Sequence, residues 1–164
     1  MKPYESPWMD DDLRMLREAV SRFVETEMLP QEPRWRAEHR VDYETWRAVG
    51  EAGFLLMDVP SEYGGGGGDF RHESVLYEEL ARRGISGFGQ GVHSIAAHYV
   101  LNYGSEEQKQ RWLPRMASGE LVGAIAMTEP GAGSDLKGIR TKAVRDGDHY
   151  VVNGSKIFIT NGSI

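Results

Sequence analysis

Apolar positions in the first hundred residues recur at helical spacing. Between Asp10 and Met28, Leu13, Leu16, Val20, Phe23 and Val24 fall three or four apart behind an aspartate cluster suited to capping, which predicts a helix that stops before Pro30. A second helical pattern begins after Asp42, carries Trp46 and Val49, and meets Gly53, where a left-handed C-terminal residue is expected. The stretch LLMDVPSEYGGGGGD then breaks regular structure. Its five glycines, residues 64–68, read as a flexible connection, because no GK[ST] follows and no strand-to-helix setting surrounds them. Helical spacing returns from Phe70 to Arg83, with Val75, Leu76 and Leu80 as the buried stripe and Gly84 closing it. Another helix is expected from about Gln90 to Tyr103, ending at Gly104. Ser105 and Gln108 form a capping-box pattern that opens one more helix, which Pro114 is expected to interrupt or restart.

After Gly119 the pattern changes. LVGAIAMT is a compact strand-like run, and TKAVRDGDHYVVNGSKIFITNG alternates in the manner of strands, with turns expected at Asp146-Gly147, Asn153-Gly154 and Asn161-Gly162. Helices first and strands later define an α+β chain: a helical domain over residues 1–119 and the start of a β domain over 120–164. At most three or four strands fit, and so small a sheet has open edges and little to pack on. The β domain is therefore expected to be incomplete and the chain to be the front part of a longer polypeptide.

Composition narrows the partners. The 164 residues carry 19 Lys and Arg against 25 Asp and Glu, a formal charge of -6, which is the wrong sign for a surface that binds nucleic-acid phosphates. With no cysteine, disulfides, thiolate catalysis and Cys-based metal sites are excluded. No apolar run reaches membrane-spanning length and the acidic, polar start MKPYESPWMDDD does not resemble an export leader, so a cytoplasmic setting is expected. His93 and His98 are five apart, about 140° around a helix, and do not share a face for a metal.

Candidate chemistry concentrates in AMTEPGAGSD, residues 126–135. It is neither a Walker A loop nor G-x-G-x-x-G, because no GK[ST] follows and Gly131, Gly133 and Gly138 are wrongly spaced. Its glycines allow close backbone approach to a ligand, successive N–H groups can form an anion-binding concavity, and Thr128 and Ser134 add hydroxyls. On spacing alone, a ligand loop and a structural turn both remain open. Glu129 reads as a loop or capping group, and Pro130 as a stiffener of the turn.

The run AMTEPGAGSDLKGIRTKA followed by HYVVNGSKIFITNGS closely resembles the flavin-binding middle segment of acyl-CoA dehydrogenases. The PSEYGG turn and the NYGSEEQKQRWLPRMASGE connection extend the resemblance over nearly the whole chain. It implies an N-terminal helical bundle, a middle β barrel and a C-terminal four-helix bundle, assembled as a homotetramer with FAD. Only the first part and the beginning of the second would lie here. The implied reaction is α,β-dehydrogenation of an acyl-CoA, with electrons passed to an electron-transfer flavoprotein.

By the same resemblance, Ile125, Ala126, Met127 and Thr128, with Gly133 and Ser134, would contact FAD, and Ser134 would reach the phosphates or the substrate thioester. Phe158, Ile159 and Thr160 would form the second flavin segment. There an aromatic ring shields the flavin and a hydroxyl donates to N5, where charge arrives with the hydride. The family often has tryptophan at the position of Phe158, so an indole N–H is missing here. Without the resemblance, Phe158 and Ile159 would read as ordinary barrel residues.

SGFGQGVHSIAAHYV would line the acyl pocket, with Gly87, Gly91 and Ile95 toward the substrate. Glycines at 87 and 91 leave room for a long chain, and they would equally serve to open a helix start. The base of the family reaction is a glutamate supplied from beyond residue 164, so no carboxylate here takes that role. Glu78 and Glu79, beside the Leu76/Leu80 stripe, read as solvated or interface charges. Two other readings stay open: a flavin oxidase or monooxygenase of the same superfamily, and a non-catalytic helical module that binds a partner or assembles subunits.

Overall fold

The computed structural model describes residues 6–164. Residues 1–5, on which the reading of the N-terminus partly rests, lie outside it. Helix α1 (Asp11–Phe23) starts where the aspartates direct, with the Asp10 carboxylate accepting from the Leu13 amide at 2.9 Å. It ends before Pro30, as expected, but the helical winding does not. The chain continues through a π turn (Val24–Met28), a 3-10 turn (Leu29–Gln31) and α2 (Glu32–Glu38). Pro30 and Pro33 each fall in the first turn of a short helical piece, where no N–H is needed, so they begin segments instead of ending one.

Asp42 then caps α3 (Tyr43–Glu51) and also ties α2 to it. One carboxylate oxygen accepts from the Thr45 amide at 2.9 Å, the other from the Trp35 indole at 2.7 Å and from Arg34 at 2.5 Å. Gly53 follows with φ +76°, the left-handed exit expected of it.

The glycine run is not a flexible connection. Gly66 and Gly68 donate to Leu56 and Met57 carbonyls at 3.1 and 2.9 Å, and Gly67 to Val59 at 2.9 Å, so the run folds back onto the residues before it. A Cβ at Gly65 would sit 2.2 Å from the Val59 carbonyl oxygen, and that close approach is what excludes a side chain.

Helix α4 (Phe70–Arg82) lies along α1, with Val75, Leu76 and Leu80 buried. Glu79 is buried too, which rules out the solvated alternative of the two that its position left open. Arg83 explains this: it donates to Glu79 at 2.6 Å, to Glu25 at 2.5 Å and to Ser21 at 2.6 Å, joining α4 to the end of α1 and its π turn. Glu78 accepts from the Ser6 hydroxyl at 2.7 Å.

Helix α5 (Gln90–Tyr103) packs on α6 (Glu106–Ala117), which opens with the reciprocal Ser105/Gln108 capping box. Pro114 does not interrupt α6; the ring costs one intrahelical bond and the helix runs through. Trp46, fully buried, stacks on Phe88 at 4.3 Å between ring centroids and lies 5.2 Å from His93. Burying so large a ring contributes on the order of 3 kcal/mol. A second apolar cluster, around Leu56, Leu113 and Met116, fills the space between α5, α6 and the loop after α3.

Beyond α6 the chain is extended. LVGAIAMT does not form a strand: a ladder needs a neighbour, and the run makes one such bond, from the Ile157 amide to the Thr128 carbonyl at 3.0 Å. Among the described residues the strands are two, β1 (Lys142–Asp146) and β2 (His149–Asn153), antiparallel with Asp146 opposite His149. Their two-residue loop is Gly147-Asp148, one step later than expected, with Gly147 at φ +63°. Asn153-Gly154 is not a turn. The chain passes straight on, and Gly154 is required because a Cβ would fall 2.0 Å from the Thr141 hydroxyl. Asn161-Gly162 does turn, with Asn161 at φ 65° and the Gly162 amide on the Ile159 carbonyl. No helix among the described residues is long and apolar enough to cross a membrane.

Candidate functional site

Two segments named from the sequence lie side by side. Residues 125–128 are joined to residues 156–160 by the Ile157–Thr128 bond and by Lys156, whose ammonium donates to the Met127 carbonyl at 2.9 Å. Lys156 also pairs with Glu129 at 3.0 Å. Glu129 itself is buried and accepts from the Arg140 and Thr141 amides at 2.7 and 2.9 Å. The Thr141 hydroxyl, these two amides and Lys156 hold its carboxyl down at about 2. A carboxylate so fully engaged caps the loop and makes a poor proton acceptor.

Phe158 stands out within this pair of segments. Its ring is 88% exposed and its backbone sits at φ 55°, a conformation bulky side chains avoid. Thr160 is exposed beside it, and Ile159 is half-buried. Across from them, Met127 is 45% exposed and Thr128 half-buried, while the amides of Ala126, Met127 and Thr128 make no hydrogen bond among the described residues. Free donors on an extended segment, a bare aromatic face and a hydroxyl form a donor set that fits a flat heteroaromatic ring bearing carbonyls and ring nitrogens. The residues present therefore fit an isoalloxazine.

Gly133 and Ser134 lie further out. They follow the turn closed by the Glu129–Ala132 bridge, are exposed, and a Cβ at Gly133 would touch nothing. The acyl candidates fall on two sides of the start of α5. Gly87 is open and borders a cleft of about 470 Å³ with Trp35, Val41 and Ile85. Gly91 rests on the Tyr77 ring, 3.4 Å from where its Cβ would be, and Ile95 follows one turn later at 52% exposure. What joins these candidates to the flavin segments is Gly89, against which Thr160 and Asn161 lie.

Three further groups escaped the sequence. Lys156 and Asn161 sit inside motifs whose neighbours drew notice, and neither carries a spacing signature. The third is a buried polar set under α5: Glu73 accepts from the Met57 amide at 2.8 Å and from the Gln90 side chain, and burial, with the charge of Asp58, pushes its carboxyl up to about 7. His93 is also buried, accepts from the Gly123 amide at 2.9 Å and faces the Met116 carbonyl at 3.2 Å, and burial lowers its imidazole to about 4. His98 lies apart, against Asp58 at 3.3 Å. No group of three His, Cys, Asp or Glu side chains among the described residues could hold a metal ion.

The chain matches the acyl-CoA dehydrogenase N-terminal domain over residues 10–120 and the acyl-CoA dehydrogenase middle domain over residues 124–164. It belongs to the acyl-CoA dehydrogenase family. Over 149 residues it is 44% identical to the long-chain specific acyl-CoA dehydrogenase, mitochondrial, of Sus scrofa, covering 90% of this chain and 35% of that protein. It is 38% identical to the isovaleryl-CoA dehydrogenase, mitochondrial, of Bos taurus (94% and 37% covered). It is 40% identical to a short-chain specific acyl-CoA dehydrogenase of Clostridium acetobutylicum (92% and 40%).

Among solved structures, an acyl-CoA dehydrogenase from Geobacillus kaustophilus superimposes with a TM-score of 0.92 at 45% identity, covering 97% of this chain and 42% of that one. A glutaryl-CoA dehydrogenase from Mycobacterium smegmatis in complex with FADH2 gives 0.87 at 36% (94% and 40%). An electron transferring flavoprotein structure of Acidaminococcus fermentans gives 0.85 at 36% (97% and 42%). The chain thus spans well under half the length of these relatives. A helical domain followed by antiparallel strands is the arrangement it shares with them.

Proposed function

We propose that the protein containing this chain is an FAD-dependent acyl-CoA dehydrogenase that converts acyl-CoA thioesters to 2-enoyl-CoA. The observation that carries the reading is Phe158, an uncovered ring in a left-handed backbone, beside Thr160 and opposite the unpaired amides of residues 126–128. A residue kept in so unfavourable a conformation is held there by its surroundings, and such strain concentrates at ligand sites.

When bound, flavin supplies an acceptor for the β hydrogen as hydride. The chain's own residues prepare for it. Phe158 would cover one face of the ring against water. The Thr160 hydroxyl would donate where negative charge develops, an arrangement that stabilises it without reorganisation. The amides of residues 126–128 are free to hold the carbonyl-bearing edge, and Lys156 and Glu129 keep that segment in place. Among the described residues, the three buried carboxylates are not placed to act as the base. Glu129 is saturated with donors, Glu79 is tied to Arg83, and Glu73 is buried beneath α5.

Within that activity, the substrate is a long-chain acyl-CoA. The bare positions 87 and 91 and the 44% identity to a long-chain enzyme support this, although relatives named for isovaleryl, short-chain and glutaryl substrates are similar as well. Electron-transfer flavoprotein as acceptor, a homotetramer and a cytoplasmic setting complete the reading. The test is the anaerobic visible spectrum of the full-length protein with FAD, before and after palmitoyl-CoA. Bleaching of the flavin supports dehydrogenation; a protein that neither retains nor reduces flavin is a fold without the chemistry. Rapid oxygen consumption during turnover identifies an oxidase instead.

A further inference from the structure

The segment that leaves the helices and the turn that follows Phe158 meet at one side chain. Asn161 donates from Nδ2 to the Gly89 carbonyl and to the Gly123 carbonyl, 3.0 Å in each case. Gly123 is held from its other side as well. Its amide donates to Nδ1 of His93, whose Nε2 faces the Met116 carbonyl, so the buried imidazole uses both nitrogens with its proton on Nε2. The peptide at 123 is therefore clamped front and back. It lies two residues before Ile125, Asn161 immediately follows Thr160, and Gly89 lies between Gly87 and Gly91. One amide group links the three pieces of chain that carry most of the flavin and acyl candidates.

The local chemistry suits that task. A carboxamide nitrogen has two hydrogens, and here both meet carbonyls from different segments. Asparagine tolerates the left-handed φ of 65° better than most residues. Position 89 must be bare, since a Cβ there would fall 2.2 Å from the Asn161 side-chain oxygen and 2.7 Å from the Thr160 methyl.

We propose that Asn161 is a positioning residue that sets the flavin-facing segments 125–128 and 158–160 in fixed relation to the acyl-facing start of α5. The assignment rests on the dehydrogenase reading for its catalytic consequence, though not for the junction itself. Hydride transfer requires the reacting atoms to be held about 3–3.5 Å apart, and a displacement of about 1 Å costs on the order of 100-fold in rate.

The test compares N161G and N161D with wild type in the full-length protein. Glycine keeps the backbone conformation and removes the donor; aspartate keeps the size and turns two attractive contacts into repulsive ones. Amide exchange at Gly123, Ile157 and Gly162, the hydrogen-bonded amides of the joined segments, is measured beside α1 and α4, together with flavin content and the anaerobic rate of reduction by palmitoyl-CoA. Both variants should fold and exchange about tenfold faster at those three amides alone. Reduction at saturating substrate should slow about 10- to 100-fold. Exchange and reduction within about twofold of wild type in both variants would overturn the proposal. Failure of both variants to fold would overturn it too, by making the residue a structural one. If wild type itself is not reduced by palmitoyl-CoA, the dehydrogenase reading fails, and exchange alone then decides the junction: acceleration confined to the three amides supports it, and unchanged exchange overturns it.

Discussion

Lys156 bridges Glu129 and the Met127 carbonyl, its ammonium 3.0 Å from the one and 2.9 Å from the other. Together with the bond from the Ile157 amide to the Thr128 carbonyl, this cation ties the segment that carries Phe158 to the segment that carries Thr128. Replacing it with methionine keeps the stem and removes both contacts. K156M should lower FAD affinity of the full-length protein on the order of tenfold, the loss of one charge-assisted bond beside the ligand. K156R should restore part of it, although the planar guanidinium does not reproduce the ammonium's geometry. Flavin titration by fluorescence checks this. Because the carboxyl of Glu129 is held at about 2 in the fold against an ordinary value near 4.5, its contribution is complete above the ordinary value and lost as pH falls toward 2.

Glu73 and His93 give a less familiar pH dependence. Glu73 is raised to about 7, so the folded state binds its proton more tightly than the unfolded chain, and stability falls as pH rises from about 4.5 to 7. His93 is lowered to about 4, so the unfolded chain binds its proton more tightly, and stability rises from about pH 4 to 6.5. The two slopes oppose each other over most of that range. E73Q removes one of them. Gln90 has a side-chain oxygen without a partner, and a flipped Gln90 amide can accept from the new carboxamide, so the variant should fold. At pH 8 it should be more stable than wild type by up to about 3 kcal/mol, and the rise due to His93 should emerge between pH 4 and 6.5. Urea unfolding at several pH values measures both effects.

The helices were legible because their ends are written locally. Asp10, Asp42 and the Ser105/Gln108 pair each cap in the structure as their residue types direct. What was not legible depends on contacts distant in sequence. Pro30 reads as a stop, and α1 does end before it, yet at the first turn of a helical piece it also serves as a start, and α2 follows. Gly154 reads as a turn residue beside Asn153, but its reason is Thr141, thirteen positions earlier. LVGAIAMT has the composition of a strand and no ladder to join. In the site, Phe158 and Thr160 could be named from a motif. Lys156, Asn161 and His93 act through backbone carbonyls and amides, which any residue presents, so no pattern of side chains announces them.

The glycine run offers a direct contrast between space and crowding. G65A places a methyl against the Val59 carbonyl and should destabilise the fold by more than about 2 kcal/mol, since backbone must move. G87A meets nothing within 4 Å and has no left-handed backbone to strain. It should be neutral, or stabilising by up to about 1 kcal/mol through the unfolded chain. A truly flexible connection would make the two substitutions equivalent, and thermal unfolding of the pair separates these outcomes.

Gly91 is the position at which the proposed chain length is tested. A Cβ added there would lie 3.4 Å from the Tyr77 ring, an acceptable contact, so G91A should change little. A phenyl group has no room toward Tyr77 and, because helical side chains lean toward the N-terminus, must extend over the start of α5, where the acyl chain is proposed to lie. G91F in the full-length enzyme should therefore lower kcat/KM for palmitoyl-CoA relative to butanoyl-CoA by at least about tenfold, the scale on which a filled apolar pocket discriminates by methylene count. The ratio is the informative quantity, because a general loss of fold or flavin lowers both substrates together and leaves it unchanged. An unchanged ratio with activity retained would place the acyl chain elsewhere. Gly87, on the cleft beside Trp35 and Val41, would then be the next position to fill, since it borders the other open volume at the start of this helix.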